Sequence, residues 1–403
     1  MNDQFIKFGL SPELNKGLDK MGFQTPTQVQ EAAILPMLDG QDLLVQAPTG
    51  TGKTCAFGIP AVEMAKPGVH YVQTVILCPT RELAVQTATV LKSLAAYKPG
   101  VRIQAVYGGE PIGRQISDLR RKPQILVATP GRLMDHMSRR TVRLETVSQI
   151  VLDEADRMLD MGFRDDIKEI LRNVPEERQT VLFSATLSAD IRQIASQHQR
   201  DARKIEIQET GKSVDRVEQY YSQMPSKEKT PALLSLLEEK KFGLSLVFVA
   251  TKSMADRLSA QLNEKGIKAD ALHGDLRQSQ RNMVMKRSRS GQIRVLVATD
   301  VAARGIDVQN IDAVINYDIP GDADSYVHRI GRTGRAGQTG SAYTFVSRQE
   351  YGKLKSFMDL TQAKMRKLML GEWTQPAAKA PVSHRNQNSK PAFRGKSAQM
   401  RIA

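Results

Sequence analysis

Ala47-Pro-Thr-Gly-Thr-Gly-Lys-Thr54 stands between an apolar run, Asp42–Gln46, and a helical pattern, Cys55-Ala-Phe-Gly-Ile-Pro-Ala-Val-Glu-Met-Ala65. Strand, glycine-rich turn and helix, in that order, let backbone N–H groups curl around phosphate oxygens while the helix N-terminus adds its positive dipole end. In this reading Thr49, Gly50, Thr51 and Gly52 form the cradle, Lys53 reaches the β- and γ-phosphates, and the Thr54 hydroxyl ligates Mg²⁺. The strict pattern has glycine where Ala47 stands, so the octet is a variant. Taken by itself, a glycine-rich turn with no ligand also accounts for it.

A second stretch, 100 residues after Lys53, decides between these readings: Ile150-Val-Leu-Asp153-Glu154-Ala-Asp156, an apolar strand that ends in carboxylates. A hard cation takes oxygen ligands, so Asp153 at a strand end beside Thr54 is the expected Mg²⁺ partner, through water. Glu154 then orients and deprotonates the attacking water, which makes the site hydrolytic. Asp156 is expected to serve in part as a helix N-cap.

Outward from these two motifs, short aliphatic runs alternate with helical patterns, the signature of βαβ units and parallel sheets. The first half offers strands at Asp42–Gln46, Thr74–Cys78, Ile103–Tyr107, Ile125–Ala128, Gln149–Asp153 and Thr180–Phe183. The second offers Ser245–Val249, Lys268–Ala271, Arg294–Ala298, Ala313–Asn316 and Ser341–Val346. Each set suffices for one open twisted sheet. The expected fold is therefore α/β, with a nucleotide-binding domain at 1–207, a polar linker at 208–216, a second domain at 217–368 and a disordered basic tail at 369–403.

Charge follows this division. Residues 1–200 carry a net +2, residues 201–350 a net +4, and the last 53 residues a net +9 of the total +15. The tail would attract a polyanion without determining the fold; an RNA tether, a protein-binding segment and simple solubility all fit it. No apolar run is long enough to span a membrane, and the N-terminus MNDQFIKFGL lacks the regions of a signal peptide. Cys55 and Cys78, the only cysteines, sit in apolar stretches and read as buried thiols. A cytoplasmic setting is expected.

Asp153-Glu-Ala-Asp156 and the order of the motifs around it resemble the DEAD-box RNA helicases of superfamily 2, over roughly Phe5 to Val346. The motifs are Gly22-Phe-Gln-Thr-Pro-Thr-Gln-Val-Gln30, Pro79-Thr-Arg-Glu-Leu-Ala84, Gly108-Gly109, Thr129-Pro-Gly-Arg132 and Ser184-Ala-Thr186 in the first half. The second half adds Gln278-Ser-Gln-Arg281, Ala298-Thr-Asp300, Ala303-Arg-Gly-Ile-Asp307 and His328-Arg-Ile-Gly-Arg332-Thr-Gly-Arg335.

The resemblance implies two tandem RecA-like domains, with ATP and Mg²⁺ as cofactors. Gln30 would read the adenine with Phe23 stacked on it, and Asp307 would contact the ribose across the cleft. Phe5 is either an upstream support of that site or plain core. Arg332 and Arg335, three apart on one helical face, would act as arginine fingers in cis. Ser184 and Thr186 would hydrogen-bond toward Asp156 and His328, coupling phosphate state to the second domain. RNA contacts would come from Pro79, Thr80, Arg81, Gly109, Thr129 and Arg132, and from Thr251, Arg281 and Thr299. Such groups suit phosphate and 2′-hydroxyl oxygens, so little sequence preference is expected. The expected activity is RNA-dependent ATP hydrolysis by a monomer that separates short duplexes or strips proteins from RNA, with ribosomal or RNA-decay proteins as possible partners. Two rivals stay open: a DNA-acting helicase of the same superfamily, and an ATP-gated clamp without turnover.

Overall fold

A computed structural model describes residues 4–48, 50–207, 217–303, 311–334, 339–361 and 363–368. The expected linker and tail, and the candidate site residues Thr49, Asp307 and Arg335, lie outside the described residues.

Seven strands form the first sheet: β1 (Leu43–Gln46), β2 (Thr74–Leu77), β3 (Ile103–Val106), β4 (Ile125–Ala128), β5 (Gln149–Leu152), β6 (Gln179–Ser184) and β7 (Arg203–Glu206). They run parallel in the order β3-β4-β2-β5-β6-β1-β7. Helices cover both faces, so β2, β4, β5 and β6 are buried at every position and read as continuous aliphatic runs. Side chains alternate between two cores. Ile76 and Cys78 join the layer of Phe57 and Phe183, whereas Val75 and Leu77 join that of Met158 and Ile167. Both cysteines are buried and unpaired, as expected, and burial raises both thiol pKa values, that of Cys55 to about 12.

The second sheet comprises β8 (Val217–Gln223), β9 (Ser245–Phe248), β10 (Ala269–Leu272), β11 (Val295–Ala298), β12 (Ala313–Asn316), β13 (Gly340–Val346) and β14 (Met365–Lys367). Its order, β10-β11-β9-β12-β13-β8-β14, repeats the first sheet with every strand advanced by seven, and it too is parallel. Three strands were not expected from the sequence. β7 buries only Ile205 at a charged edge, β8 mixes Glu, Gln and Ser among its tyrosines, and β14 has three residues. All three belong to the β7 and β8 sides of their sheets, where periodicity is weakest.

Because every strand is parallel, the carboxyl ends share one edge of each sheet, the usual ligand edge of open α/β sheets. In the first sheet that edge divides in two. The neighbours β5, β6 and β1 present the acidic motif, Ser184 and the glycine-rich loop; the neighbours β3, β4 and β2 present Gly109, Thr129 and Thr80.

Candidate nucleotide site and nucleic-acid edge

The loop after β1 turns on glycines in left-handed backbone, Gly50 at φ 85° and Gly52 at φ 94°, a region side chains resist. A Cβ on Gly52 would lie 2.6 Å from Gln30 Nε2. Lys53, the first residue of the helix Lys53–Met64, is 7% exposed, and its ammonium donates to the Ala47 carbonyl at 2.9 Å. Thr51 Oγ1 closes the turn onto the Pro48 carbonyl, and Thr54 is half-buried one position beyond Lys53.

Across β6, Asp153 is 2% exposed and its Oδ1 has no hydrogen-bond partner. Burial first, and then the Glu154 charge, raise its pKa to about 7 against the pull of Lys53 and Arg157. A buried carboxylate oxygen without a partner is costly, and a divalent cation would relieve it. One carboxylate and one threonine hydroxyl suit Mg²⁺, which keeps water and substrate phosphates as its other ligands.

Glu154 occupies left-handed backbone at φ 52°, ψ 51° and stands at the N-cap of the helix Ala155–Asp160. Asp156, expected to cap that helix, lies inside its first turn instead. Its Oδ2 accepts from Ala185 N, Thr186 N and Thr186 Oγ1, and its Oδ1 from Arg157 N. The expected Ser184–Asp156 bond is absent among the described contacts; Ser184 Oγ donates to the Thr186 carbonyl at 2.7 Å and holds the turn that aims Ala185 and Thr186.

Arg157, which no motif reading singled out, is 5% exposed and its Nη1 meets Glu154 Oε2 at 2.6 Å. The pair engages one oxygen of the Glu154 carboxylate. Its signal in the sequence was the i, i+3 spacing from Glu154. Arg157 also lines a cleft with Asp300, His328, Arg329 and Arg332 of the second half. There burial, then the Arg157 charge, push the His328 pKa down to about 4 against the opposing Asp156, so its ring is neutral at pH 7. Arg332 is 8% exposed. Arg329, also unassigned by the sequence reading, is buried in a fork onto Asp300 at 2.6 and 2.7 Å and donates to Asn316 and to the Asp318 carbonyl. It anchors the helix Ala323–Ile330 that carries His328.

Gln30 makes one hydrogen bond at each end of its amide. Its carbonyl accepts from Thr27 N and its amide donates to the Gly52 carbonyl, so both ends are engaged with the helix start and the phosphate loop. Phe23 is half-buried, with Phe5 edge-on to it at 6.4 Å; Phe5 itself is fully buried in the core.

On the other half of the edge, Thr80 and Thr129 stand at the N-caps of the helices Arg81–Leu94 and Pro130–Ser138, with Pro79 buried behind Thr80. Arg81 lies over the Tyr107 ring at 5.0 Å, and its buried Nε has no hydrogen-bond partner. Gly109 turns in left-handed backbone at φ 78°, and a Cβ there would meet Arg81 Nη1 at 2.3 Å. In the second half Thr251 caps the helix Lys252–Glu264, and Thr299 follows β11. Arg281, expected at RNA, is instead paired with Glu82 of the first half at 2.8 Å, through both Nε and Nη2.

No described helix is long and apolar enough to cross a membrane. The DEAD/DEAH box helicase family model matches residues 27–194, and the helicase conserved C-terminal domain model matches 228–337. The chain is 46% identical over 375 residues to the ATP-dependent RNA helicase CshA of Listeria monocytogenes, covering 93% of this chain and 72% of that protein. Among solved structures, S. cerevisiae Dbp5 bound to RNA and ADP BeF3 superposes with a TM-score of 0.82 at 33% identity, covering 92% of this chain and 96% of that one. A Dbp5 variant bound to Nup159, Gle1 and ADP gives 0.64 at 32% identity, covering 91% and 96%. The two α/β halves, the phosphate loop with its acidic partner, and these likenesses converge: the chain belongs to the DEAD/DEAH box helicase family.

Proposed function

We propose that this chain is an ATP-dependent RNA helicase in which ATP and single-stranded RNA together close the cleft between two RecA-like units, 1–207 and 217–368. Closure bends one strand and so separates short duplexes or strips bound protein; hydrolysis reopens the cleft. The observation that carries this reading is the meeting of first-half Arg157 with second-half His328 and Arg332 in one cleft, where the Asp156 and Glu154 charges also act on His328. The higher TM-score against Dbp5 with RNA and ADP BeF3 than against its variant with Nup159, Gle1 and ADP supports the same arrangement.

Within it, Lys53 exchanges the Ala47 carbonyl for phosphate oxygens, and Gly50 and Gly52 leave room for them. Asp153 and Thr54 would hold Mg²⁺, which supplies charge neutralisation on the phosphates. Glu154, steadied by Arg157, takes the proton of the attacking water. Arg332, with Arg335, stabilises the charge that develops as the phosphoryl group leaves. Asp156, Thr186 and His328 carry phosphate state between the halves, while Gln30, Phe23 and Asp307 select the nucleotide. The helix N-termini at Thr80, Thr129 and Thr251, with Arg81, Gly109, Arg132 and Thr299, face the RNA backbone. Arg281 contributes by tying the halves together.

Glu154→Gln separates binding from chemistry. It should retain ATP and RNA affinity and lose turnover by about 10²- to 10⁴-fold, the usual worth of a general base, so that RNA stays trapped with ATP. Loss of ATP binding in this variant, measured by fluorescent-nucleotide titration, would show that Glu154 is part of the binding site and not the base.

A further inference from the structure

Gln115, on the helix Ile112–Leu119, is 1% exposed and belongs to none of the motifs. Its amide nitrogen donates to the Tyr107 carbonyl at 2.9 Å and to Glu110 Oε2 at 3.2 Å. Its oxygen accepts from Arg132 Nη1 at 3.2 Å and faces His136 Nε2 at 3.1 Å. Two N–H groups and two lone pairs are all that a glutamine amide possesses, so its capacity is fully used.

The amide of Gln115 fixes one proton of this network. The Gln115 oxygen cannot donate, so the proton between it and the ring belongs to His136 Nε2. Nδ1 lies 2.8 Å from Thr141 Oγ1, whose hydroxyl is also 3.0 Å from the His136 carbonyl that it can donate to. His136 is fully buried, and burial with the nearby Arg132 charge lowers its pKa.

Gln115 therefore joins the two ends of the Tyr107–Glu110 loop to Arg132. Arg132 Nη1 donates to the Glu110 carbonyl as well, at 3.0 Å. Because both contacts use Nη1, the second terminal nitrogen can serve a phosphate oxygen. On the opposite side of the loop Arg81 rests on the Tyr107 ring and against Gly109. The loop is thus a shared mount for three groups of the nucleic-acid edge.

We propose that Gln115 is a positioning residue for single-stranded RNA, holding Arg132, Gly109 and Arg81 as one preorganised unit. The inference rests on the assignment of those three residues to RNA. A mount of this kind raises affinity by removing the ordering cost that mobile arginines would meet on binding, and it does not touch the nucleotide.

The test uses the full chain and a labelled single-stranded RNA oligonucleotide. Gln115→Met keeps volume and removes every hydrogen bond; Arg132→Ala is the reference, and the double variant closes the cycle. Gln115→Met should weaken RNA binding about 5- to 10-fold, the scale of one ordinary hydrogen bond. ATP affinity without RNA and kcat at saturating RNA should stay within about twofold, and KM for RNA should carry the loss. Added to Arg132→Ala, Gln115→Met should weaken RNA binding by clearly less than it does in the wild type, since coupled sites are not additive. Should Gln115→Met fail to fold, Gln115→Glu answers the same question: it sets a carboxylate against the Tyr107 carbonyl and Glu110, and should lose at least as much RNA affinity. Unchanged RNA affinity in the single variant, or full additivity in the double, overturns the proposal and leaves Gln115 a structural residue. If Arg132→Ala itself binds RNA as the wild type does, the assignment of RNA to this edge falls first and the proposal with it.

Discussion

The two halves share one strand order, yet they use the lysine and aspartate at matching places differently. Lys229 occupies the place in the second half that Lys53 occupies in the first: it begins the helix that follows the opening strand of its sheet, β8. Asp318, just past β12, answers Asp153, just past β5, and in both sheets one strand separates lysine from aspartate. There the likeness ends. Lys229 is buried and pairs with Asp318 at 3.2 Å beneath the Tyr317 ring, and Asp318 accepts from Ala250 N with its other oxygen. In the first half Asp153 Oδ1 has no partner, and Lys53 holds only a carbonyl. Glycines and unneutralised charge keep one site receptive. The other has spent the same two residue types on its own stability.

Substitution of the two lysines is the sharpest way to break this comparison. Lys53→Ala should abolish ATP binding with little effect on folding. Lys229→Ala should leave ATP affinity within about twofold and cost roughly 3 kcal/mol of stability, as removal of one partner from a buried pair does. Isothermal titration with ATP and thermal melts of both variants check the assignment, and weakened ATP binding in Lys229→Ala would contradict it.

A smaller effect sharpens the contrast through pH. Asp153 has its folded pKa raised from 3.8 to about 7. In the metal-free protein its protonated form therefore contributes stability that is fully present below about pH 4 and lost as pH rises through 7. Mg²⁺ needs the ionised form, so its effect has the opposite sign. Mg²⁺ binding in the presence of ATP should be about tenfold weaker at pH 6 than at pH 8, and Asp153→Asn should flatten the profile. A wild-type profile as flat as that of the variant would show that Asp153 is not the metal-side carboxylate.

Much of this was legible in the sequence. The parallel strands at the sheet centres are unbroken aliphatic runs, so β2, β4, β5, β9, β11 and β12 were expected within a residue of their ends. The glycine-rich loop and the carboxylates after β5 were equally plain, because their chemistry is local. What stayed hidden depends on long-range contacts. β7, β8 and β14 have weak patterns, and pairing with neighbours makes them strands. Arg281 looks like a phosphate ligand until Glu82, 199 residues away in sequence, is found beside it. Gln30 reads as a residue facing only a base, and its second tie, to the Gly52 carbonyl, shows in the structure alone. Arg157 and Gln115 belong to no motif, and burial and hydrogen bonding are what single them out.

In the proposed mechanism hydrolysis needs both halves, with the nucleotide held by the first and its transition state completed by arginines of the second. Phosphate release from MgATP, with and without saturating single-stranded RNA, tests this most directly when wild type is compared with Arg332→Ala and Arg335→Ala. The account predicts strong RNA stimulation in the wild type. In the arginine variants it predicts that stimulation falls by about 10³-fold or more, the scale of an arginine finger, while ATP binding is retained. RNA-stimulated turnover that survives in both variants would contradict it.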